Sequence, residues 1–77
     1  MRKIALNLTH LPGDVPSECI NKAIGYLSTW NMKYPEVEIF QEVGHSKNLM
    51  AVYRNGNSEY VIAAIWRSEL ERYTYHS

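Results

Sequence analysis

A chain of 77 residues, 45% apolar and 21% charged, has the make-up of one small globular domain and argues against disorder. Eight Lys and Arg balance eight Asp and Glu, so the basic excess that usually accompanies phosphate-driven nucleic-acid binding is missing. Cys19 is the single cysteine, which excludes an internal disulfide and leads us to expect a reducing, cytoplasmic home.

Arg2-Lys3 before Ile4-Ala5-Leu6 has a faint look of a signal peptide. Asn7 breaks the apolar run and no small-residue cleavage site follows, so the segment reads as part of the domain. No run approaches the roughly 20 apolar residues of a membrane span. From Lys3 to Thr9 the residues alternate, with Ile4, Leu6 and Leu8 on one side, and predict a half-buried strand. His10 to Asp14 is a loop punctuated by Pro12 and Gly13.

Asp14-Val15-Pro16-Ser17-Glu18 reads as a helix start, with Asp14 as cap, Pro16 in the first turn and Glu18 near the positive end of the dipole. Ile20, Ala23, Ile24, Leu27 and Trp30 then share one face, and Ser28 and Thr29 fall opposite with Glu18, Asn21 and Lys22. Gly25 sits mid-helix, where it suggests close packing on a sheet. Tyr34-Pro35 ends the helix.

Glu36 to Val43 alternates again. Val37, Ile39 and Val43 point one way; Glu36, Glu38, Phe40 and Glu42 point the other. Gly44 to Lys47 is a polar turn. Asn55-Gly56 between two apolar runs is a strong hairpin signal. A turn centred on that pair sets Tyr53 opposite Ser58, Ala51 opposite Tyr60 and Leu49 opposite Ile62. One face then carries Leu49, Ala51, Tyr53, Tyr60, Ile62, Ala64 and Trp66; the other carries Met50, Val52, Val61, Ala63 and Ile65, with Arg54 and Glu59 near the turn. Residues 59 to 66 also fit one face of a helix, but their β-branched and aromatic content favours strand. Residues 68–77 read as a polar C-terminal tail or a short helical turn, because Ser68-Glu69-Leu70-Glu71 matches a capping box. The expected fold is a single α+β domain of order β-α-β-β-β, antiparallel-rich, with one amphipathic helix on one face; the alternative is β-α-β-β-α.

The chemistry-bearing residues point to no reaction. Cys19 lies in the first helical turn, where a dipole can activate a thiol, yet neither His10 nor His45 has a spacing that places it as the base. His10, Asp14, His45 and His76 lack metal-site spacing. His45-Ser46-Lys47 reads as turn chemistry rather than a catalytic triad. The expectation is therefore a non-enzymatic protein without metal or cofactor.

Two surfaces fit a protein partner. One is the acidic stripe Glu36, Glu38 and Glu42 around Phe40; the other is the aromatic set Tyr53, Tyr60 and Trp66. One helix can cover only one side of the sheet, so the other side keeps either that aromatic set or Met50, Val52, Val61 and Ile65 exposed. We expect a small module acting by protein–protein contact, as a homodimer or docked on a larger partner. A stoichiometric inhibitor or adaptor, such as phages and other mobile elements encode, fits this description. The alternative is a nucleic-acid-binding regulator using Arg67, Arg72, Tyr73, Tyr75 and His76, with Lys47 and Arg54.

Overall fold

The computed structural model describes residues 3–30 and 32–77; Arg2, half of the basic pair noted above, lies outside the described residues. The elements are β1 (Lys3–Asn7), α1 (Ser17–Thr29), β2 (Glu36–Glu42), β3 (His45–Asn55), β4 (Ser58–Arg67) and β5 (Arg72–His76). The strands form one sheet in the order β1-β2-β3-β4-β5. β1 runs parallel to β2, and every later neighbour is antiparallel. A parallel pair needs a crossover connection, which α1 supplies; the antiparallel pairs need only tight turns. The expected β-α-β-β-β order is therefore present, and a further strand extends it.

α1 lies on the face built from Val37, Ile39, Leu49, Ala51, Tyr53, Ile62 and Ala64. Ile20, Ala23 and Leu27 of the helix join these residues in the core. Tyr53 is 0% exposed, and its hydroxyl donates to the Leu27 carbonyl at 2.9 Å. That carbonyl belongs to the last helical turn, where backbone acceptors lack an intrahelical donor. One phenol thus fills the core and satisfies a helix end.

Several local expectations are corrected. Asn55 pairs with Ser58 and Tyr53 with Tyr60, so Gly56-Asn57 forms the loop and β4 slides by two residues from the expected register. Gly56 alone takes a positive φ there, +62°, the pattern of a type II′ turn with glycine first. A two-residue slip preserves side-chain parity, so both faces of the hairpin hold the residues assigned to them.

Asp14 does not cap the helix. Pro16 is the N-cap residue without a side-chain bond, and the Asp14 carboxylate pairs with Lys47 at 2.5 Å. The hydrogen bond from Lys47 holds the Asp14 carboxyl below its ordinary pKa. Ser28 is buried rather than solvated, its Oγ donating to the Ile24 carbonyl at 2.6 Å. Val43 is not in the strand: it stands 94% exposed in the Val43-Gly44 turn, and His45 to Lys47 open β3 instead of forming the turn. Residues 68–71 form a turn with Glu71 at φ 53°, and residues 72–76 are strand β5 rather than a tail. β1 is exposed along its whole length, because the helix stops short of Ile4 and Leu6 at the sheet edge.

Gly25 does not serve close packing: a Cβ there would meet no atom within 4 Å. Gly25→Ala should raise stability by about 1 kcal/mol, read as an increase in thermal midpoint of roughly 4–8 °C. Tyr53→Phe keeps the ring and removes the donor to Leu27. It should lower stability by about 1–3 kcal/mol in urea denaturation, with an unchanged m-value.

Candidate functional site: the open face of the sheet

The strand registers define rows across the face opposite the helix. The first runs Lys3, Glu36, Arg54, Glu59; the second Ala5, Glu38, Val52, Val61; the third Asn7, Phe40, Met50, Ala63, His76. Ile65 pairs with Thr74 in the next row, and Arg67 with Arg72 in the last. The middle of the face is thus apolar, built from Phe40, Met50, Val52, Val61, Ala63 and Ile65, with charge at both ends. Val52 is almost fully enclosed by its neighbours, whereas Val61 is 39% exposed.

At the hairpin end the charges form a network. Arg54 bonds Glu38 at 3.2 Å and Glu59 at 3.1 Å, and Asn7 Nδ2 donates to Glu38 at 2.9 Å. Hydrogen bonds that Arg54 donates to the two carboxylates, to Glu38 above all, raise its pKa above the ordinary value. At the opposite end Arg67 holds Glu69 at 2.8 Å, and the Glu69 carboxyl is pushed down by backbone hydrogen bonding and by Arg67.

The residues expected to meet a partner divide. Glu36, Glu38 and Phe40 lie together on the open face. Glu42 lies beyond a register shift after Gln41 and accepts from Asn48 Nδ2 at 3.1 Å. Tyr53 is a core residue and is corrected as a contact, because the helix covers the aromatic face. Tyr60, on that same face, stacks on Trp30 and Tyr34 at 5.6 and 6.1 Å. Trp66 packs edge-on against Tyr73 at 5.2 Å. The set facing away from the helix is therefore the aliphatic alternative, in which Val61 is exposed, Met50, Ala63 and Ile65 are half-buried and Val52 is buried. Its signal was the even spacing of Met50 and Val52 and the odd spacing of Val61, Ala63 and Ile65, but parity alone does not say which side a helix takes.

The other candidates are dispersed. The Cys19 thiol, half-buried beside the core, faces the Glu71 carbonyl at 3.8 Å. Among the described residues no three His, Cys, Asp or Glu gather where a metal could bind. The basic-aromatic tail is divided by strand pairing. Tyr73 is 7% exposed with its hydroxyl donating to the Lys47 carbonyl at 2.7 Å, Tyr75 stacks on Tyr26 at 4.1 Å, and Arg67 and Arg72 emerge on the opposite face. Among the described residues no helix is long and apolar enough to cross a membrane. No family model, curated protein or solved structure matches the chain.

Burial, reinforced by neighbouring Cys19 and Tyr75, pushes the Tyr73 phenol up to about 12, against about 10 for an unperturbed tyrosine. The fold thus favours the neutral phenol. This contribution to stability is complete below pH 10 and is lost as pH rises toward 12. Tyr73→Phe should be less stable at pH 8, for want of the bond to Lys47, yet lose less stability between pH 10 and 12. Urea midpoints of both proteins across that range check it.

Proposed function

We propose that the protein is a non-enzymatic binding module that works by protein–protein contact through the open face of its sheet. The observation that carries this reading is the continuous apolar centre of that face, Phe40, Met50, Val52, Val61, Ala63 and Ile65, with no element of the described chain packed over it. Exposed apolar surface of this kind, rimmed by charge, is typical of interaction sites. Phe40 supplies the aromatic anchor and the Glu38–Arg54–Glu59 network a polar rim. A small module of this sort suits stoichiometric inhibition or adaptor work in the cytoplasm, including the service of a phage or other mobile element. Strand pairing separates the ring faces of Tyr73 and Tyr75 from Arg67 and Arg72, which weakens the nucleic-acid alternative.

A photo-crosslinking amino acid placed at Val61 should yield a discrete protein adduct in cells. The same group at Lys22, on the exposed side of α1, should yield none. Ile65→Glu should abolish the Val61 adduct while leaving the circular dichroism spectrum unchanged; an adduct that persists, or equal labelling from Lys22, would remove the open face as the contact surface.

A further inference from the structure

Independently of the open face, we infer that the free edge of β1 pairs with β1 of a second copy of this chain, antiparallel and centred on Ala5, joining the two sheets into one. All five residues of β1 are exposed, Ile4 at 48% and Leu6 at 51%. The strand is held on one side only, by its parallel ladder to β2, and parallel pairing is slightly weaker per residue than antiparallel. The chain that follows turns away from the free edge. The Thr9 and His10 amides donate to Gln41 Oε1 on β2 at 2.9 and 3.2 Å, and Asp14 reaches Lys47 on β3.

Backbone direction fixes the register. The Lys3 N–H donates to the Pro35 carbonyl at 2.7 Å, so Lys3 turns its backbone groups toward β2. Alternation along the strand turns those of Ala5 and Asn7 the same way and those of Ile4 and Leu6 outward. In an antiparallel pair, two outward residues set opposite each other exchange both N–H···O bonds. Centring on Ala5 sets Ile4 of each copy opposite Leu6 of the other, which satisfies every outward N–H and C=O of both strands. Ala5 then faces Ala5 in a pair without hydrogen bonds, where Cα atoms approach to about 4.5 Å and a methyl side chain fits. Centring on Ile4 or Leu6 would pair only Lys3–Ala5 or Ala5–Asn7, and a one-residue slip would set outward groups against inward ones.

The side chains match as well. Ile4 and Leu6 lie on the helix side with Val37 and Ile39, their neighbours in β2. Paired, they meet the same two residues of the second copy in one apolar cluster, the cross-strand contact that stabilises sheets. On the other face Lys3 meets no carboxylate within 4 Å among the described residues. In the pair it comes opposite Asn7 of the second copy, whose side chain holds Glu38 at 2.9 Å, so an ammonium stands beside a carboxylate at both ends of the contact. β5, the other edge of the sheet, offers no equivalent: Arg72 and His76 end it and Tyr73 is buried. Charges on an edge discourage pairing, so the assembly closes at two copies about a two-fold axis normal to the sheet.

A contact of one strand per copy is at the small end of interfaces, and sedimentation equilibrium should give a dimer with a dissociation constant of about 100 μM. Leu6→Pro removes an outward N–H that the single chain does not use, a change edge strands tolerate. It should weaken the dimer about 100-fold or more with an unchanged circular dichroism spectrum. In a Cys19→Ser background, Ala5→Cys should form an interchain disulfide under mild oxidation, because Cα atoms about 4.5 Å apart are within disulfide range. Ile4→Cys should not, since its own copy lies diagonally across the pair, beyond about 7 Å. The two cysteine variants decide the register even where Leu6→Pro fails to fold. A chain still monomeric at about 1 mM, a dimer unaffected by a folded Leu6→Pro, an Ala5→Cys that does not link, or an Ile4→Cys that links as readily would overturn the inference. The Val61 crosslink tests the open face separately and changes with none of these outcomes.

Discussion

Thirteen residues of α1, about 20 Å of helix, are set against a sheet roughly 24 Å wide, and that mismatch governs the rest of the molecule. One helix seals one face over β2 to β5 and leaves Ile4 and Leu6 of β1 beyond its reach. The Tyr53 hydroxyl fixes the helix position by meeting the Leu27 carbonyl in the last turn. Ile20, Ala23 and Leu27 then fall over the middle strands. A 77-residue domain buries only about 60% of its unfolded surface, so the second face of its sheet is left over by arithmetic as much as by design.

The choice of covered face follows from what each set of side chains demands. Tyr53, Tyr60, Tyr73 and Trp66 carry the larger apolar area, and burying large rings removes the most surface from water. Buried phenols also need acceptors. Leu27 and Lys47 supply backbone carbonyls at 2.9 and 2.7 Å, both on the helix side or at its border. Met50, Val52, Val61, Ala63 and Ile65 make no such demand. They tolerate partial exposure.

Charge on the open face collects at its two ends, with both signs at each. Glu38 and Glu59 meet Arg54 at the hairpin end, Arg67 meets Glu69 at the β4–β5 turn, and Asp14 and Lys47 join the helix approach to β3. These surface pairs contribute little to stability individually.

Much of the architecture was readable from residue periodicity. The period of two in residues 3–9, 36–43 and 49–66, the helical spacing of Ile20, Ala23 and Leu27, and the turn signal at Asn55-Gly56 all depend on local sterics and on which residues avoid water. Hairpin parity survived even a two-residue error in register, because sliding by two returns each side chain to its own face. Strand β5 was not legible. Arg72 to His76 has modest strand character, and only the free edge of β4 gives its backbone groups partners. Nor was the bond between Asp14 and Lys47, since a carboxylate before a helix reads locally as a cap. The sequence by itself thus determined the elements and the two faces of the hairpin. Tertiary structure alone decided which face the helix took, and with it that Tyr53 became core while Phe40, Val61 and Ile65 remained at the surface. That decision rests on contacts between residues far apart in the chain, which no local pattern records.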